Sequence, residues 1–223
     1  MKKISTIASA LLIAGSVQAA PASLGYDYVE LNGSIGKLGV EVPAGNNDFR
    51  EDIRTTNFAG RWSGMITDNI YSTLDVNYLN GNGDKRFGPL EFELDTTQIN
   101  YSVLIGGAFA VADGLDLFIA GGIGGLSQDS SLEINGNRSK DDLDVKETEF
   151  AWEFGVRKAM WQQGLEFEAR VEGIGDQVAL DLNLPIYINE NVALVPTATI
   201  MEEERIKVNK SHSTLGLGLR ISY

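Results

Sequence analysis

Thr214-Leu215-Gly216-Leu217-Gly218-Leu219-Arg220-Ile221-Ser222-Tyr223 alternates without a break. Leu215, Leu217, Leu219, Ile221 and Tyr223 fall on one face, and Thr214, Gly216, Gly218, Arg220 and Ser222 on the other. A period of two is the strand period, because successive side chains leave a pleated backbone on opposite sides. The same rule reads Leu165, Phe167, Ala169 and Val171 against Glu166, Glu168, Arg170 and Glu172. It reads Phe150, Trp152, Phe154 and Val156 against Glu149, Ala151, Glu153 and Gly155, and Ile99, Tyr101, Val103 and Ile105 against Gln98, Asn100 and Ser102.

Extending the rule along the chain, with Gly, Asn and Asp marking turns, predicts ten strands. They lie at about 26–40, 53–66, 70–79, 93–110, 115–127, 147–158, 164–174, 178–187, 192–202 and 211–223. Pro185 and Pro196 each remove a ladder donor from the eighth and ninth, so a bulge or irregular end is expected there, and eight strands is the alternative count. Helical periodicity is hard to find after residue 24. Connections alternate in length. Short ones fall at 67–69, 112–114, 161–162 and 189–191, and long polar ones at 41–52, 80–92 and 128–146. Shorter members lie near 175–177 and 203–210. Short turns at one end and long loops at the other are the organisation of a transmembrane barrel.

Composition agrees. The 223 residues carry 18 basic and 31 acidic side chains, a net charge of −13, which is unsuited to binding nucleic acid. No cysteine is present, so disulfides, thiol catalysis and iron–sulfur clusters are excluded, and one histidine excludes a multi-histidine metal site. Met1-Lys2-Lys3, the apolar stretch Ile4–Gly15 and the small residues of Val17-Gln18-Ala19 read as a signal peptide over residues 1–19. A single barrel domain is expected over 20–223. Removing Lys2 and Lys3 leaves 16 basic groups against 31 acidic, a net charge of −15.

The polar face carries charge at mid-strand and the apolar face is nearly continuous in large residues, which suits lipid outside and water inside. Trp62, Phe109, Trp161, Tyr187 and Tyr223 lie near the short turns and are expected to form a periplasmic aromatic girdle. With these features the chain resembles the small outer-membrane β-barrel proteins of Gram-negative bacteria, the opacity or porin-like group. The resemblance implies an all-β, up-and-down antiparallel barrel in the outer membrane. It also implies contact with lipid and lipopolysaccharide; that the acidic loops bridge to lipopolysaccharide phosphates through divalent cations is a hypothesis drawn from their charge. Leu215, Leu217, Leu219, Ile221 and Tyr223 would form the signal read by the barrel-assembly machinery, with Tyr where the family usually has Phe. It further implies a monomer. It does not choose among pores, adhesins, enzymes and structural anchors.

The inward face carries basic Arg61, Arg157, Arg170 and Arg220, and acidic Glu30, Asp75, Asp116, Glu149, Glu153, Glu166, Glu168, Glu172 and Asp181. A two-residue turn at Trp161-Gln162 would set Arg157 opposite Glu166 and Glu153 opposite Arg170. A three-residue turn at 67–69 would set Arg61 opposite Asp75. Such pairs fix register and make interior charge tolerable. The interior charge network is therefore expected at Arg61, Asp75, Glu149, Glu153, Arg157, Glu166, Glu168, Arg170, Glu172 and Arg220. It would either fill the barrel or line a narrow passage that prefers cations.

Three motifs invite chemistry and do not complete it. His212 is followed two residues later by Thr214, where the lipid A deacylases have Ser, and no acid follows, so it reads as a polar rim histidine. Gly121-Gly122-Ile123-Gly124-Gly125 has no following helix and reads as tightly packed strand, not a phosphate loop. Asp141, Asp142, Asp144 and Glu147 lack calcium-loop spacing and read as a solvated face. No catalytic residue, metal or cofactor is expected. A porin-like passage or structural barrel is the first reading, and a surface protein binding through its long loops is the second.

Overall fold

The computed structural model describes residues 24–44, 47–87, 90–134, 137–139, 145–160, 164–205 and 208–223. The predicted signal peptide, Trp161, Gln162 and Asp141 to Asp144 lie outside these residues. The alternating segments pair into a closed antiparallel barrel of ten strands, so the count of ten stands and eight does not. They are β1 (Tyr28–Ala44), β2 (Asn47–Met65), β3 (Ile70–Phe87), β4 (Leu90–Ala112) and β5 (Leu115–Ile134). There follow β6 (Val145–Ala159), β7 (Glu166–Ile174), β8 (Gln177–Asn183), β9 (Val192–Arg205) and β10 (Val208–Ser222). Each pairs with its sequence neighbour. β10 returns to β1, with Glu30 opposite Arg220 and Ile35 opposite Leu215. Closure satisfies backbone donors and acceptors internally, which a bilayer core demands.

Burial is inverted relative to a soluble protein. Leu215, Ile35, Ile123, Phe150 and Ile105 are all more than 60% exposed on the outside, while Arg157, Arg220 and Glu153 are at most 1% exposed inside. Leu217, Leu219, Ile221 and Tyr223 continue the outer apolar face along β10. Some outer glycines carry an aromatic ring from the next strand. The Tyr101 ring covers Gly125 and the Trp152 ring covers Gly173. Inside, Gly122 approaches β4 so closely that an added Cβ would strike the Val103 carbonyl oxygen, so the glycine there serves close strand approach.

Turn chemistry sets much of the register. Asp113-Gly114 is a two-residue turn between Ala112 and Leu115, and Gly114 supplies the positive φ of 61° that it requires. Asn189 caps its turn by accepting the Asn191 and Val192 N–H groups. The turn after β2 places Arg61 opposite Asp75.

Three expectations are corrected. First, the β6–β7 connection is longer than two residues: the Met160 N–H donates to the Leu165 carbonyl, and Arg157 faces Glu168 while Gly155 faces Arg170. The register is displaced by two, which keeps every side chain on its proper face and changes the residue directly opposite, although Arg157 still reaches Glu166. Second, the segments 41–52, 80–92 and 128–146 are largely strand and not long loops. Ala44 pairs with Asn47 and Phe87 with Leu90, and β5 runs to Ile134, beyond which Asn137–Ser139 pairs back onto it. Near 203–210, Arg205 likewise pairs with Val208. Polar composition marked where lipid ends, not where pairing ends. Third, Tyr187 is drawn inward beside Glu166, so it is not part of an outer girdle. Trp62 and Tyr223 do face outward. Pro185 interrupts β8, which resumes at Ile186–Tyr187 without a change of register: Asn183 pairs with Thr197 and Ile186 with Leu194.

Candidate functional site: the barrel interior

The chain enters the base of the barrel before β1 begins. The Leu24 N–H donates to Asp116 Oδ2 at 2.9 Å, and Arg157 Nη1 donates to the Gly25 carbonyl at 2.6 Å. Next to these anchors Tyr26 packs on Tyr71, with ring centroids 5.1 Å apart, and edge-on to Phe118 at 6.2 Å. The Arg157 guanidinium lies over the Tyr26 ring at 4.7 Å, a cation–π contact. Tyr26, Tyr71, Phe118, Ala108 and Ala120 form a buried cluster at this level. It closes over the short-turn end of the interior.

Above it, four guanidiniums and seven carboxylates interlock. Arg61 bridges Asp75 at 3.2 Å and Glu153 at 2.8 Å, and Tyr71 Oη donates to the same Glu153 carboxylate at 2.8 Å. Arg220 joins Glu30 at 2.7 Å and Glu168 at 3.1 Å, and lies over the Tyr28 ring at 4.2 Å. Arg157 joins Glu166 at 2.7 Å and stands 3.6 Å from Glu168. Arg170 meets Glu172 at 3.1 Å, Asp181 at 3.3 Å and Glu168 at 3.6 Å. Thr199 Oγ1 donates to Asp181 at 2.6 Å. Charges so far from water are stable only when each is paired and hydrogen-bonded, a condition that Glu168 meets by touching three arginines.

The expected residues are placed as follows. Arg61, Asp75, Glu153, Arg157, Glu166, Glu168, Arg170, Glu172 and Arg220 all lie in this network. Glu149 faces inward by its alternation with Ala151 and Glu153, but it is exposed at the upper rim. Glu153 does not pair with Arg170 as the shorter turn required; its partner Arg61 reaches it from the other side of the barrel. Sequence reasoning missed Tyr26, Tyr28 and Tyr71. The signal was present, because Tyr26 and Tyr28 continue the inward face of Glu30 toward the N-terminus. His212 is buried, not at an exposed rim, and its Nε2 lies 2.9 Å from Thr55 Oγ1. No group of three metal-binding side chains occurs among the described residues.

Over the network lies a cavity of about 150 Å³ that opens to solvent. Asn32, Asn57, Asn77, Asn100 and Asn183 line it, with Arg61, Asp75, Arg170, Glu172 and Asp181 among its other residues.

A closed ten-stranded barrel, apolar outside and charged within, defines an outer-membrane β-barrel protein. The chain belongs to the family described as outer membrane protein beta-barrel domain, whose model matches residues 7–192. Its place is the outer membrane. Among solved structures it is similar to the transport unit of the autotransporter AIDA-I from Escherichia coli, at 8% identity and a TM-score of 0.52, covering 98% of both chains. It is also similar to OprG from Pseudomonas aeruginosa, at 11% identity and TM-score 0.44, covering 93% of this chain and 100% of that one. For Neisserial surface protein A the values are 10% and 0.41, with 87% and 97% covered. At these identities the likeness concerns the fold alone. No curated protein matches the chain.

Proposed function

We propose that this protein is a structural outer-membrane barrel whose periplasmic half is sealed, and not an open porin. One observation carries the reading: Glu153, Glu168, Arg157 and Arg220 are each at most 1% exposed, directly above the cluster that Tyr26 completes. A conducting path needs continuous water, and an interior of this size is readily filled by side chains. The aromatic cluster with Arg157 and Arg220 fills that level, so the barrel resists ion flow rather than selecting cations.

Conductance in a planar bilayer tests this. Folded protein is expected to give no steady openings. A variant lacking residues 20–26, which loses Tyr26 and the Gly25 contact to Arg157, is expected to open. Steady cation-selective openings from the intact chain would overturn the sealed reading in favour of a passage lined by the surplus carboxylates.

A second reading, surface interaction, draws on the length of the strands. β4 has 23 residues and β5 has 20, whereas about 9–11 suffice to cross a bilayer. The excess raises paired hairpins above the lipid, and such ordered walls suit protein or lipopolysaccharide contact better than loose loops do. Replacing residues 41–50 by a short turn is expected to abolish any such binding while the barrel still folds. Binding that survives would remove this hairpin from the reading.

A further inference from the structure

On the outer wall the register sets two cations side by side. Lys37 on β1 lies directly opposite Arg54 on β2. Ser213 on β10 flanks Lys37 on its other side, and Asn82 on β3 flanks Arg54. All four are exposed, whereas Leu38, Ile53 and His212, their neighbours along the strands, are buried, so the four side chains point outward. The row continues to Ile200 beyond Ser213 and to Asp95 beyond Asn82. With strands about 4.8 Å apart, its four donors span roughly 14 Å of the wall.

Like charges directly opposite on one face repel and cost stability. The four interior arginines each have carboxylate partners within the chain. The outer pair does not: among the described residues neither Lys37 nor Arg54 forms an ion pair. Asp52, two residues further along β2, is exposed on the same face and closes onto neither. The neutralising charge therefore has to come from outside the chain.

An independent feature indicates what carries that charge. Lys37 follows Ile35 on the outward face of β1, and Ser213 precedes Leu215 on that of β10. Ile35 and Leu215 pair with each other and are the most exposed large apolar side chains among the described residues, at 71% and 70%. Phe58 on β2 adjoins Ile35 diagonally and is exposed too. An apolar platform thus ends in a cationic edge, on the side of the lipid belt away from the short turns. A soluble anion would use the edge and leave the platform bare. An amphiphile with an anionic head uses both.

We propose that Lys37 and Arg54 bind the phosphate of an outer-leaflet glycolipid of the lipopolysaccharide class. The ammonium and guanidinium take phosphate oxygens, the Ser213 hydroxyl and the Asn82 amide donate to the head group, and the acyl chains lie on Ile35, Leu215 and Phe58. The site rests on the outer-membrane placement alone. It requires neither a sealed base nor a bridging divalent cation.

The test is titration of bisphosphorylated lipid A into the folded barrel in zwitterionic detergent micelles with EDTA present, the bound lipid being counted by native mass spectrometry. One retained lipid A is expected. Each basic group near an anionic lipid surface contributes about fivefold, so Lys37→Gln combined with Arg54→Gln is expected to weaken retention at least about tenfold. Lys146, exposed on β6 opposite Ser127, serves as the control, and Lys146→Gln is expected to change retention by less than about twofold. Urea unfolding gives a second readout. In phosphatidylcholine vesicles Lys37→Gln relieves repulsion and is expected to raise the midpoint, whereas in vesicles containing lipid A it is expected to lower it. Heat-modifiable mobility on gels confirms that each variant folds. Undiminished retention by the double variant overturns the proposal, as does an equal loss in Lys146→Gln, equal retention of dephosphorylated lipid A, or a lowered midpoint in both lipids. Displacement of lipid A by inorganic phosphate also overturns it, because the pair would then serve a free anion.

Discussion

Arg220 shows how much a single interior side chain carries. It holds Glu30 and Glu168 from within the strand that closes the barrel, and is 1% exposed. Arg220→Met removes the charge, strands Glu30 and leaves Glu168 only its longer contacts with Arg157 and Arg170, so a loss of about 3–5 kcal/mol is expected in denaturant unfolding from lipid vesicles. A cost below about 1 kcal/mol would mean that the carboxylates find water or other partners. Glycine offers a sharper contrast. Gly122→Ala drives a methyl into the Val103 carbonyl and is expected to block folding, read as loss of the heat-modifiable band. Gly33→Ala meets only the Phe58 ring, at 3.8 Å, and is expected to fold normally. At this scale alternation made the network residues legible, because parity alone sends Arg157 or Glu168 inward. Turn arithmetic gave two of their partners, Asp75 for Arg61 and Glu166 for Arg157, but not the partner of Glu153. Glu153 to Arg61 is a contact across the interior, which no turn arithmetic reaches.

Among the elements, the turns and the segment before β1 matter most. Gly114 lies at a φ of 61°, a left-handed conformation that costs other residues roughly 1–2 kcal/mol. Gly114→Ala is expected to lower stability by about that much without altering the fold, again by denaturant titration. Gly114→Asn, which tolerates this conformation better, is expected to recover part of the loss. The Asp113-Gly114 turn was readable because its dipeptide specifies a two-residue hairpin. The β6–β7 turn was not, because Trp161-Gln162 carries no such signal and the register there is set by packing along the strands. The upper hairpins were misread as loops for a related reason. Above the lipid a strand needs no apolar outer face, so the period-two signal fades while backbone pairing continues.

For the whole molecule, the charge pairs are shielded by the barrel wall. Raising salt from 0.1 M to 1 M shortens the Debye length from about 10 Å to about 3 Å, which weakens surface pairs but not enclosed ones. The unfolding midpoint of the folded barrel in lipid is expected to move little over that range. A steep fall would mean that water and ions enter the network.

The amino-acid order by itself determined the class, the compartment and the two faces of the strand segments that lie in lipid, and it favoured ten strands over eight. Each follows from local rules: a period of two, a long apolar face and a few turn dipeptides. The tertiary structure decided the contacts on which the proposed seal rests, Tyr26 meeting Tyr71 and Phe118, and arginines reaching carboxylates several strands away. It also decided which charged side chains are enclosed and which line the cavity. Those depend on strand lengths and register shared around the whole ring, which no single strand encodes.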